Sequence, residues 1–172
     1  MNEPLARLDR LFASAGVPYV IIGAHAVNAW VEPRFTADID VTIEMNAAAL
    51  QRLRDVLAAE GFHLLQEQGA DLASDPDFLR FQSLDGSITL EFQAAKTEFQ
   101  REAIRRAVTA GDTRVATVED LIIMKLIADR PKDRIDLLEL AALPNVDWGY
   151  VDHWAREWQI SNRLERLRQS FR

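Results

Sequence analysis

Cysteine is absent from the chain. Its absence excludes a disulfide framework, a thiolate zinc site and a cysteine nucleophile. It fits a reducing compartment, and a cytoplasmic location is expected. Also missing is any stretch approaching the roughly 20 apolar residues of a membrane span, so no membrane partner is expected. Met1-Asn2-Glu3-Pro4 has neither the basic start nor the apolar run of a secretory signal, and the chain is expected to be soluble and unexported. Basic charge is in deficit: 20 Lys and Arg stand against 27 Asp and Glu, for a net charge of −7. Proteins that hold nucleic acid by broad phosphate neutralisation are basic, so the balance argues against that mode. Internal repeats, low-complexity tracts and long linkers are lacking too.

What is present suffices for one real core: 48% of the 172 residues are hydrophobic. The size suits a single domain, residues 1–172, with a core over about 17–116 and a helical C-terminal part over about 117–172. Leu5, Leu8, Leu11 and Phe12 recur at helical spacing before Gly16-Val17-Pro18 stops the helix. Tyr19 to Ile22 reads as a buried strand ending at Gly23, and Ala24 to Val31 as a short helix. Asp38 to Ile43 alternates polar and apolar, which is the pattern of a half-buried strand. Ala47 to Glu60 reads as a helix closed by Gly61, Phe62 to Leu65 as a strand, and Glu67 to Asp77 as a loop. Phe78–Leu84 and Ile88–Phe92 flank Asp85-Gly86-Ser87 as a hairpin. From Glu98 the pattern is mostly helical, with helices expected from Thr117 to Asp129, Pro131 to Leu143, Asp147 to Gln159 and Asn162 to Phe171. The fold class is α+β (α/β mixed): a small mixed β-sheet flanked by helices.

The chemistry concentrates on two strands. Residues two apart on a strand share a face, so Asp38, Asp40 and Thr42 point one way and Ile39, Val41 and Ile43 the other. The two aspartates then project about 7 Å apart, within reach of one bridging Mg²⁺. On the hairpin strand Ile88, Leu90 and Phe92 share the apolar face, leaving Thr89 and Glu91 opposite. If the strands are neighbours, Glu91 joins the aspartates, and three crowded carboxylates repel one another without a cation. Asp-x-Asp alone is most simply a solvated strand face. Here it has company: a strand ending at a glycine, a short helix, Arg34-x-Thr36, and a third acid on a later strand.

Gly23, the helix after it and Arg34-Phe35-Thr36-Ala37-Asp38-Ile39-Asp40 resemble the nucleotidyltransferase superfamily of the polymerase-beta type. Val118-Glu119-Asp120-Leu121-Ile122, Lys125, Arg130-Pro131-Lys132-Asp133 and Asp136-Leu137 resemble the helical half of its abortive-infection AbiEii-like branch. The resemblance spans roughly Tyr19 to Leu140. It implies a nucleotidyltransferase fold and an Mg²⁺- (or Mn²⁺-) dependent enzyme. Such an enzyme passes a nucleoside monophosphate from an NTP to a hydroxyl acceptor; the branch implies an RNA end, in a toxin paired with an antitoxin, ahead of the small molecules that related branches modify. Asp38, Asp40 and Glu91 would be the catalytic metal ligands. Gly23 and Ala24 would form the turn beneath the phosphates and Lys125 would reach the triphosphate; Arg34 and Thr36 would touch phosphate or brace the turn, and Asp133 would join the nucleotide site or cap and tether the helix at Pro131. Two departures from the family pattern are Ala24, where a second glycine or a serine is usual, and Glu91, where aspartate is commoner. They motivate the alternative of a catalytically inactive partner subunit.

The remaining candidates read more plainly. His25, His63 and His153 show no mutual ligand spacing, and His25 packs beside the turn. Trp148, Trp154 and Trp158 read as core or interface residues, and Arg163, Arg166, Arg168 and Arg172 as a solvated helix face with Glu165 among them.

Overall fold

Alternation along β2 (Asp38–Ile43) sets the frame: Ile39, Val41 and Ile43 are buried, while Asp38 is exposed and Asp40 half-buried. In the computed structural model, which describes residues 3–44, 46–69, 71 and 75–170, this strand is at the centre of a seven-stranded mixed sheet. The other strands are β1 (Tyr19–Ile21), β3 (Phe62–Gln68), β4 (Phe78–Ser83), β5 (Thr89–Ala94), β6 (Val108–Ala110) and β7 (Thr113–Val115), in the order β3-β4-β5-β2-β1-β7-β6. β1 runs antiparallel to β2, and β5 runs parallel to it. The side chains of residues 3–7, Leu5 among them, and Phe171 lie outside the described residues.

The helices among the described residues are α1 (Glu3–Ala15), α2 (Gly23–Val27), α3 (Ala47–Ala59), α4 (Glu98–Arg106), α5 (Val118–Ala128), α6 (Asp133–Ala141), α7 (Trp148–Glu157) and α8 (Ser161–Gln169). α1 and α3 cover the apolar face of the sheet. Phe12 meets Phe92 edge-on at 5.8 Å and stacks on Tyr19 at 4.2 Å, and Leu50, Leu53 and Leu57 close the layer. The helical part begins at α5, where the Thr117 hydroxyl accepts from the Asp120 amide as N-cap. α5 packs on α6, α7 and α2, which brings the C-terminal helices beside the glycine turn. No helix among the described residues is long and apolar enough to cross a membrane.

Four expectations need correction. β6 and β7 form a short hairpin where a mostly helical stretch was expected, because strands of three residues are too brief to show a period. β3 runs on to Gln68, into the expected loop, because pairing with β4 holds it through a register shift between Leu64 and Gln66. α2 starts at Gly23 and ends at Val27, and the helix after Pro131 starts at Asp133.

Candidate active site

The parallel β2–β5 register sets Asp38 beside Thr89 and Asp40 beside Glu91. The two strands thereby contribute Asp38, Asp40 and Glu91 to one face of the sheet, opposite Ile39, Val41, Leu90 and Phe92. The Asp40 carboxyl is pushed up to about 6, first by burial and then by the charges of Glu91 and Asp38. Arg130 and Lys132 pull the other way. Among the described residues no group of three or more His, Cys, Asp or Glu side chains is placed to hold a metal ion as it stands. Glu91 instead pairs with Arg80 of β4, Nη2 to Oε1, at 3.1 Å. The donor set nevertheless suits a hard divalent cation: carboxylate oxygens only, one of them desolvated and under like-charge repulsion.

Gly23 packs directly on this group. Its φ is +64°, and a Cβ there would lie 1.9 Å from Asp40 Oδ2. The Ile22 amide donates to the Asp40 carbonyl at 2.9 Å, tying the turn to the acidic strand. No residue larger than glycine fits this close approach.

A cleft of about 880 Å³ opens between the acidic face and the C-terminal helices. Gly23, Ala24, Thr36, Asp38, Asp40 and Glu91 line one side, and Lys125, Arg130, Lys132 and Asp133 the other. Asp133 and Asp136 are each 2% exposed and Lys125 6%. Lys125 Nζ donates to Asp136 Oδ2 at 2.6 Å and to Asp133 Oδ1 at 3.3 Å. Arg34 Nη2 donates to both Asp136 oxygens at 2.9 Å, and Arg130 grips Asp133 at 2.7 and 3.1 Å. Burial works to raise the Asp133 carboxyl, but the Arg130 hydrogen bond and the Lys125 charge outweigh it and hold it below the usual range. These residues clamp the segment before β2 to α5 and α6. Thr36 Oγ1 donates to the Asp38 carbonyl at 3.4 Å.

Residues 5–170 match the model of a protein family described as nucleotidyltransferases of unknown function, DUF6036. The chain belongs to this family. No curated protein matches it by sequence. Among solved structures it is similar to a lincosamide antibiotic adenylyltransferase, LnuA, with lincomycin bound. The TM-score there is 0.60 and the identity 14%, covering 83% of this chain and 97% of that one. It is also similar to an antigenic nucleotidyltransferase-like protein from Paracoccidioides brasiliensis, with TM-score 0.56, 15% identity and coverage of 95% and 91%. A third is ANT(2")-Ia in complex with adenylyl-2"-tobramycin, with TM-score 0.53, 16% identity and coverage of 99% and 100%. At such identities the likeness establishes the nucleotidyltransferase fold.

Within this nucleotidyltransferase fold the sequence-derived residues separate into two groups. Asp38, Asp40, Glu91, Gly23, Ala24 and Thr36 lie along the acidic side of the cleft. Arg34, Lys125 and Asp133 meet on the other side in one ionic network, whose further members are Asp136 and Arg130. Lys125 is committed to two buried carboxylates, whereas Lys132 is exposed on the cleft and its charge reaches Asp40. Arg80 carries no spacing motif; only its place opposite Glu91 reveals it. Trp158 is 37% exposed on the cleft wall, edge-on to Phe99 at 6.3 Å, while Trp154 packs on Phe99 at 5.1 Å. His25 lines a second cavity of about 710 Å³, and burial pushes its imidazole down. The C-terminal arginines are engaged within the chain: Arg163 with the carbonyls of Leu126 and Ile127, Arg166 with Asp129, and Arg168 with Asp152. Arg172 lies outside the described residues.

Proposed function

We propose that the chain transfers a nucleoside monophosphate from an NTP to a hydroxyl acceptor, with Asp38, Asp40 and Glu91 holding Mg²⁺ or Mn²⁺. The observation that carries this reading is the parallel register of β2 and β5, which sets Asp40 beside Glu91 on the face that bears Asp38. A divalent cation bound there supplies charge compensation for the departing pyrophosphate and polarises the attacking oxygen. The chain's own residues do the rest. Gly23 lets the turn approach Asp40, while Ala24 and Thr36 shape the floor. Lys132 and the outward part of Arg130 face the triphosphate as cations. Arg34, Lys125, Asp133 and Asp136 brace that wall from within. Phe99, Met124, Ile127 and Trp158 offer an apolar wall suited to a base.

We place the acceptor among small hydroxyl compounds. The net charge of −7, and the pairing of Arg163, Arg166 and Arg168 within the chain, argue against a broad cationic track for an RNA backbone among the described residues. The AbiEii-like alternative is an RNA end as acceptor, an antitoxin as partner and action in the cytoplasm. An assay with each labelled NTP, Mg²⁺, bulk RNA and a hydroxylated metabolite mixture, with Asp38→Ala/Asp40→Ala as control, separates the two acceptors. Label passing to RNA alone overturns the small-molecule choice.

That no group of three acidic or histidine side chains among the described residues is placed to hold a metal favours a second reading, a non-catalytic partner subunit. Calorimetry that finds neither Mn²⁺ nor NTP bound, together with no label transfer, selects it.

A further inference from the structure

β4 runs antiparallel to β5 and sets Arg80 directly opposite Glu91. Cross-strand partners share a face, so the guanidinium sits with the acids while its neighbours Leu79 and Phe81 enter the core. Arg80 and Glu91 side chains are 38% and 26% exposed, and they approach to 3.1 Å through Glu91 Oε1. Arg80 Nε is buried without a hydrogen-bond partner. An unmet donor is unfavourable, so something else must keep the guanidinium in this position, and the pair with Glu91 supplies that.

Glu91 stands between Asp40 on one neighbouring strand and Arg80 on the other. A free glutamate samples several rotamers, and Asp40 repels its charge. Anchoring Oε1 to Arg80 removes that freedom and leaves the second oxygen for another partner. We propose that Arg80 is a positioning residue: it holds Glu91 extended across β5, so that its other carboxylate oxygen is presented to the divalent cation shared with Asp38 and Asp40. This rests on the carboxylate-site reading above.

Mn²⁺ titration of the protein without nucleotide, following free Mn²⁺ by electron paramagnetic resonance, tests it apart from activity. Arg80→Met is expected to weaken Mn²⁺ binding about 10- to 100-fold, the usual effect of removing a group that orients a metal ligand. Arg80→Lys is expected to recover part of the loss. In a Glu91→Gln background, Arg80→Met should add no further loss, because Arg80 acts only through that carboxylate. Unchanged affinity in Arg80→Met, or the same loss with and without Glu91, overturns the assignment. So does tighter binding, which would mean that Arg80 withholds the carboxylate. If Arg80→Met does not fold, Arg80→Lys decides: weaker Mn²⁺ binding at an unchanged melting temperature supports the role, and wild-type affinity overturns it. A wild-type protein that takes no Mn²⁺ overturns the carboxylate-site reading itself, an outcome distinct from wild-type binding that ignores Arg80.

Discussion

Gly23 and Asp40 are in contact so close that a Cβ on the glycine would lie 1.9 Å from Asp40 Oδ2. The backbone of the turn thus takes the space beside the carboxylate that any side chain would occupy. Gly23→Ala is expected to displace Asp40 and to strain a residue held at φ +64°. The cost should be roughly 2 kcal/mol or more, since the left-handed backbone alone accounts for about 1–2. Urea denaturation measures the stability, and Mn²⁺ titration should show weakened binding even at temperatures where the variant is folded.

Asp40 makes the cation-free protein sensitive to pH. Its carboxyl is raised from 3.8 to about 6, first by burial and then by Glu91 and Asp38. A carboxyl raised in the folded state contributes stability that is fully present below the unfolded value and lost as pH rises through the folded one. The cation-free protein should therefore lose on the order of 2–3 kcal/mol between pH 4 and pH 7 through this group. Asp40→Asn should flatten that loss, and Mg²⁺ should offset it in the wild type but not in the variant. Melting temperature against pH, with and without Mg²⁺, gives the readout.

Lys125 stands between two nearly inaccessible carboxylates, those of Asp133 and Asp136. Lys125→Met removes the innermost charge and leaves Arg34 and Arg130 to neutralise both from the half-exposed side. A destabilisation on the order of 3 kcal/mol is expected in chemical denaturation. Adding Asp133→Asn and Asp136→Asn should restore most of it. A loss of nucleotide binding at full stability would instead assign Lys125 to the phosphates.

Tyr150 holds α7 to the start of α5, its hydroxyl donating to Asp120 Oδ1 at 2.6 Å while Thr117 Oγ1 donates to Oδ2 at 2.7 Å. Arg106 lies over the Tyr150 ring at 3.9 Å. Tyr150→Phe leaves a buried carboxylate one donor short, at a cost of about 1.5–3 kcal/mol. Denaturation should show that loss, with Mn²⁺ affinity unchanged because Tyr150 lies outside the cleft lining.

The amino-acid order alone determined which faces the acids take on their own strands. Alternation of period two is a local property, so Asp38 and Asp40 part from Ile39 and Val41, and Glu91 from Leu90 and Phe92, whatever the strands pair with. The same holds for the glycine turn and the capped start of α5, each written within a few residues. Only the tertiary structure decided that β5 lies parallel to β2 in the register that puts Glu91 beside Asp40, and that β4 brings Arg80 to the far side of Glu91. It alone decided that Lys125 is drawn to Asp133 and Asp136, a choice among charges set by which groups are desolvated together. Strand register and ion pairing depend on residues far apart in the chain, and no local pattern records them.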